Sequence, residues 1–120
     1  MIMDDNPSSF VKSVLDSYLA LPETPTRLNR RDRALALELF QRGIPRSTIE
    51  AALLLASARR LYRPADATPL GPIRSLHYFL PVIEEVLAQP LPGDYLAYLR
   101  HKLATYRLKN ASANNLRLRS

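Results

Sequence analysis

The sequence predicts an all-α chain: a single compact domain of about five helices, with a helix-turn-helix-like pair and a flexible C-terminal tail. Three observations predict it. Apolar residues recur at three- and four-residue spacing in successive segments and nowhere alternate with polar ones along a strand's length. No Asn-Gly or Asp-Gly hairpin turn occurs. The ten prolines fall mostly between the periodic segments, where they start or stop helices. A chain of 120 residues, 47% of them apolar, fills one core and is too short for two ordinary domains. Residues 1–109 are read as the helical domain and 110–120 as a disordered basic tail.

The first helix is expected from an N-cap at Ser8 or Ser9 to Leu21. Phe10, Val11, Val14, Leu15, Tyr18 and Leu21 form its apolar stripe, and Pro22-Glu23-Thr24-Pro25 ends it. The second begins near Asn29 and stops at Gly43, a C-terminal cap, burying Leu35, Ala36, Leu39 and Phe40. Its first turn, Arg30-Arg31-Asp32-Arg33, puts cations where the helix macrodipole is already positive, costing a few tenths of a kcal/mol each. That placement suits an anion. The alternative is that the arginines are merely solvated and Asp32 offsets part of the cost.

Ser47-Thr48-Ile49-Glu50 has capping-box spacing and opens a third helix reaching about Tyr62. Ile49 and the run Ala51 to Ala56 leave that helix almost no polar side, which predicts the centre of the core. Residues 64–74 form a loop. Ser75 caps a fourth helix to Ala88 that buries Leu76, Phe79, Val82, Ile83, Val86 and Leu87. Pro81 either kinks this helix or marks a short turn followed by a helix starting at Leu80. Asp94 caps a fifth, with Tyr95, Leu96, Leu99, Leu103 and Tyr106 on one face and basic residues elsewhere. Apolar periodicity stops at Asn110.

Several function classes lose support on composition. With no cysteine there are no disulfides, thiol nucleophiles or thiolate metal sites. His77 and His101 fall in different helices with no second ligand at metal spacing. Glu84 and Glu85 are adjacent and so point to different helix faces, unlike a cooperating acid pair. The three glycines are scattered and form no phosphate-cradling loop. Ser8, Ser9, Ser47 and Ser75 all have a capping explanation. No catalytic residue, cofactor or metal site is expected, and the chain is read as non-enzymatic. The acidic start, Met1 to Asn6, does not resemble a signal peptide, and the longest apolar run is about a third of a membrane span. A soluble, cytoplasmic protein is expected.

Charge carries the functional expectation. The net charge is +6, and it is unevenly spread. Residues 27–63 hold nine arginines against Asp32, Glu38 and Glu50, while residues 95–120 hold six basic residues and no acid. The segments 1–26 and 64–94 each carry one basic residue against four acids. Two basic blocks separated by acidic ones steer a polyanion to one face, unless the arginines reflect only codon usage.

The segment 35–55 is helix, glycine-containing turn, helix, the order of a helix-turn-helix whose second helix presents its first residues to DNA. Arg46, Ser47 and Thr48 then approach the duplex, with Arg30, Arg31 and Arg33 on phosphates. Helix-Gly-helix also joins any antiparallel pair. Arg59, Arg60 and Arg63 form a second cluster, where cations suit the dipole of a helix end as well as a ligand. Arg100, Lys102, Arg107 and Lys109 begin a third, continued by Arg117 and Arg119. Tyr98 and Tyr106 are candidates for stacking on unpaired bases, with core packing the alternative for Tyr106.

Gly43-Ile44-Pro45, Ile49-Glu50-Ala51-Ala52-Leu53 and Ile73-Arg74-Ser75-Leu76-His77-Tyr78-Phe79 resemble the C-terminal helical domain of DnaD-type replication-initiation proteins. The resemblance covers about residues 29–88. Tyr78, Val82 and Val86 match the family's Tyr-x-x-x-Ile-x-x-x-Trp pattern, although this chain contains no tryptophan and sets Pro81 inside it. The chain also resembles small uncharacterised proteins of bacterial mobile elements. The resemblance implies a DNA-binding accessory of replication or mobile-element maintenance, with a partner protein in such a complex. The alternative is a helical protein-interaction module in which Asp4-Asp5 and Glu84-Glu85 pair with basic patches on another copy.

Overall fold

A computed structural model describes the backbone of residues 6–119 and the side chains of residues 6–108. Among these the fold is all-α: α1 Pro7–Leu19, α2 Arg30–Gln41, α3 Arg46–Leu61, a 3-10 turn at Leu76–Phe79, α4 Leu80–Ala88 and α5 Gly93–Arg119. No strand occurs among the described residues.

The helix starts refine the expected caps. Asn6, rather than Ser8 or Ser9, caps α1: its Oδ1 accepts from the Ser9 amide at 2.8 Å. Pro7 follows at the first position, where its missing N–H and fixed φ carry no penalty. The Ser47–Glu50 capping box does not form. Helix α3 starts two residues earlier, from Pro45 as N-cap with ψ at 142°, so Ser47 already lies inside the first turn. Pro45 supplies its carbonyl to the Thr48 and Ile49 amides, and its own φ is set by the ring.

Gly43 ends α2 as expected. With φ at 75° it takes the left-handed conformation that costs a residue with a Cβ about 1–2 kcal/mol. Its amide donates to the Phe40 carbonyl at 2.9 Å and the Ile44 amide to Leu39 at 3.2 Å, satisfying two orphan carbonyls.

Helix α3 is the hub. It packs against α1, α4 and α5 and touches the 3-10 turn. Ile49, Ala51, Ala52, Leu53, Leu55, Ala56, Ser57 and Ala58 are buried along it. The alanines let neighbouring backbones approach, while each large apolar side chain fully withdrawn from water contributes about 1.5–3 kcal/mol. By contrast α2 and α3, though consecutive, scarcely touch; α2 packs on α1 and on the 3-10 turn.

Pro81 resolves as the second of its two expected forms. A 3-10 turn capped by Ser75 precedes α4, and Pro81 occupies that helix's first turn. Leu76, Phe79, Ile83 and Val86 are buried as expected, whereas Val82 is half-buried and Leu87 exposed. On α5, Leu99 and Leu103 enter the core while Tyr95 stays outside. The backbone of α5 runs through Arg119, past the boundary expected at Asn110. No Pro or Gly after Gly93 interrupts it. At about 1.5 Å per residue its 27 residues span about 40 Å, more than the 30–31 Å cross-section of the protein.

Candidate nucleic-acid interface

The arginine-rich start of α2 is built around an acid that faces inward. Asp32 is fully buried. Its Oδ2 accepts from the Asn29 amide at 3.0 Å, while the Asp32 amide donates to Asn29 Oδ1 at 2.9 Å, closing a capping box. The remaining oxygen, Oδ1, accepts from the Leu76 amide at 2.9 Å, across 44 residues of chain. One carboxylate therefore caps α2 and staples the 3-10 turn to it.

The burial of Asp32 changes the surface. Arg27, Arg30, Arg31 and Arg33 are exposed around the first turn. The Asp32–Leu76 bond draws the start of the 3-10 turn to α2, with His77 exposed beside Arg31 and Arg74 exposed two residues before Leu76. Arg31 shares a groove of about 420 Å³ with Glu38, Ser75 and His77, and Arg33 faces the α1 side near Lys12 and Asp16. None of these arginines forms an ion pair among the described residues. The capping box engages the amides of Asn29 and Asp32. Arg27 and Arg74 were not singled out in the sequence. Arg74 becomes visible only through the long-range staple.

Arg46, Ser47 and Thr48 occupy the first turn of α3, with Ser47 exposed and the other two half-buried. They stand beyond the opposite end of α2, whose 12 residues rise about 18 Å. The structure does not gather them with Arg30, Arg31 and Arg33. Helix α3 is packed by α1, α4 and α5, with Ser47 on the surface in its first turn.

The second expected cluster is engaged within the fold. Arg59 makes a bidentate pair with Glu85 at 2.9 and 2.6 Å. Arg60, whose side chain is only 7% exposed, bonds Glu23 Oε1 and the Gly71 carbonyl, each at 2.6 Å, and lies over the Tyr78 ring. Glu23 itself has φ at 67°, a left-handed residue held in place by this contact. Arg63 donates to the Thr68 carbonyl at 2.7 Å. All three side chains thus bond groups of their own chain outside α3.

Arg42 pairs bidentately with Glu84 at 2.8 and 2.9 Å. Glu84 and Glu85 are thus each paired with an arginine of their own chain. Hydrogen bonds from Arg42 and Arg59 hold the two carboxylates below their usual range. Asp4 and Asp5 lie outside the described residues.

On α5, Arg100 is exposed, Arg107 donates to the Ala20 carbonyl at 2.7 Å, and Lys102 sits among tyrosines. The side chains of Lys109, Arg117 and Arg119 lie outside the described residues. His101 is exposed on α5, away from the 3-10 turn that holds His77.

Inside the core, the Tyr18 hydroxyl and Ser57 Oγ have no hydrogen-bond partner. Burial, and then the negative charge of Asp32, push the Tyr18 phenol up to about 12. Of the three residues matching the DnaD pattern, Tyr78 is exposed, Val82 half-buried and Val86 buried. No described group of three or more His, Asp or Glu side chains is placed to hold a metal, and no described helix is long and apolar enough to cross a membrane. No protein-family model, curated protein or solved structure matches the chain.

Proposed function

We propose that the protein is a non-catalytic nucleic-acid-binding protein, most simply of DNA, that grips the phosphate backbone electrostatically. The observation carrying this reading is the inward-facing Asp32 in the first turn of α2, whose neighbours in sequence Arg30, Arg31 and Arg33 are all exposed, as are Arg27 before the helix and Arg74 two residues before the stapled Leu76. An acid that would otherwise sit beside them on the surface is fully engaged by backbone amides. The cations are left with no contacting carboxylate among the described residues, at a helix end that already disfavours them. Guanidinium groups in that state release phosphate counterions on binding, and affinity then depends steeply on salt. Base reading by α3 is not part of the proposal, because α3 is the core. The resemblance of residues 29–88 to DnaD-type segments adds a replication or mobile-element setting and a protein partner there.

A salt titration tests this. Affinity for a DNA oligonucleotide should fall by orders of magnitude between about 50 and 200 mM salt. Replacing Arg30, Arg31 and Arg33 together with Ala should lower the slope of log affinity against log salt by about 2–3, one for each lost phosphate contact. Absence of binding by the unmodified protein at 50 mM salt would refute the reading and leave the interaction module in its place.

A further inference from the structure

Four of the six tyrosines converge on one surface, far from the α2 arginines in sequence. Tyr95 and Tyr98 stack on α5 with ring centroids 5.9 Å apart and planes at 23°. One turn further, the Lys102 ammonium lies 5.5 Å from the Tyr98 ring centre and 3.3 Å from its hydroxyl. The same ammonium sits 4.2 Å over the ring of Tyr62, at the end of α3. Tyr62 meets Tyr106 edge to face at 6.2 Å and donates its hydroxyl to the Lys102 carbonyl at 2.9 Å. Tyr95, Tyr98, Lys102, Tyr62 and Tyr106 thus form one connected strip.

The strip is not core. Tyr98 is 51% exposed, Tyr95 40% and Tyr62 39%. A compact domain of this size has ample interior for aromatic rings, yet these are held on the surface by contacts among themselves. Alternation of π-faces with a cation matches one chemistry in particular, a chain of flat bases joined by phosphates.

We propose that this strip is a stacking surface for the unpaired bases of single-stranded nucleic acid, with Lys102 placed for the adjoining backbone. The inference rests on the nucleic-acid reading above but uses different residues and a different force. Stacking is insensitive to salt and requires bases freed from a duplex. The α2 arginines need only phosphates and accept either form.

The test compares an oligothymidine single strand with a duplex of equal length, using the full chain and its Tyr95→Ala/Tyr98→Ala variant. Both residues lie on the surface outside the core, so helix content by circular dichroism should be unchanged. Single-strand affinity should drop roughly 5- to 100-fold, with the salt slope kept and duplex affinity unaltered. Tyr98→Phe, which keeps the ring, should retain the affinity. Because the chain has no tryptophan, tyrosine emission is directly readable. Its quenching by the single strand should weaken in the double variant.

Equal losses on both strands, or no loss on either, would overturn the stacking surface while leaving the arginine reading intact. Failure of the unmodified protein to bind either strand at 50 mM salt would bring down both. Loss of a bound protein partner with nucleic-acid binding unchanged would reassign the strip to protein docking.

Discussion

Arg30, Arg31 and Arg33 at the start of α2, and Arg59 and Arg60 near the end of α3, are both arginine clusters at helix ends, yet the fold treats them oppositely. Glu85 from α4 and Glu23 from the α1–α2 loop reach the α3 arginines, and Arg60 is almost wholly enclosed. At α2 the neighbouring acid turns inward, and the arginines keep their exposure. The difference lies in where the carboxylates go. An arginine cluster becomes a surface for outside anions only when the fold gives its acids other partners.

The largest expected effect comes from removing the acid that separates the two cases. Asp32→Ala leaves the Asn29 and Leu76 amides without their acceptor, and buried orphan donors to a charged group are expensive. Unfolding by urea should show a loss of about 4 kcal/mol. A loss below about 1 kcal/mol would mean the staple is dispensable and the proposed reason for arginine exposure is wrong. Alkaline titration probes the buried Tyr18, whose phenol is raised first by burial and then by the Asp32 charge. Tyr18 has its phenol raised above the ordinary value near 10 to about 12, so the folded state holds its proton longer than the unfolded chain. The contribution is complete below about pH 10 and disappears as pH rises through about 12, on the order of 2–3 kcal/mol. Tyr18→Phe should abolish that alkaline loss.

These consequences also mark how far the sequence could be read. The α3 hub, the Gly43 cap and the proline-marked breaks were all legible, because apolar periodicity and φ restrictions act locally. Asn29-x-x-Asp32 and Ser47-x-x-Glu50 share capping-box spacing, yet only the first forms the box. Pro45 had already started α3 with its own carbonyl. What no local pattern carries is the partner of a polar side chain 26 to 44 residues away. The Arg59–Glu85, Arg60–Glu23 and Asp32–Leu76 contacts are of that kind. They decide which arginines remain available, so the candidate site was readable as charge and not as geometry. The tyrosine strip was glimpsed only in Tyr98 and Tyr106, because Tyr62 joins it from another helix.

A second, smaller effect probes the enclosed cluster. Arg60→Met keeps the stem but strands the Gly71 carbonyl and the left-handed Glu23, and should lower stability by about 2 kcal/mol. Arg59→Ala, on a half-exposed pair, should change far less. Acid separates the pairs further. Glu84 and Glu85 lie below their ordinary carboxylate values, so their contribution is present above about pH 4.5 and fades as pH falls through the lowered values. Arg42→Ala with Arg59→Ala should remove that acid-side loss, whereas the α2 substitutions should leave it in place.

The smallest effect has the opposite sign. Replacing Arg30, Arg31 and Arg33 with Ala removes three cations from the positive end of α2 and substitutes the residue of highest helix propensity. If these side chains serve only an outside ligand, the free protein should gain stability, by a few tenths of a kcal/mol for each position, even as nucleic-acid affinity falls. Arginines retained for packing would give the reverse, a loss of stability comparable with Arg60→Met. The two measurements on one variant therefore decide whether the α2 cluster belongs with the enclosed arginines of α3 or stands apart from them. A residue that destabilises its own fold while strengthening a complex is held in place by the complex.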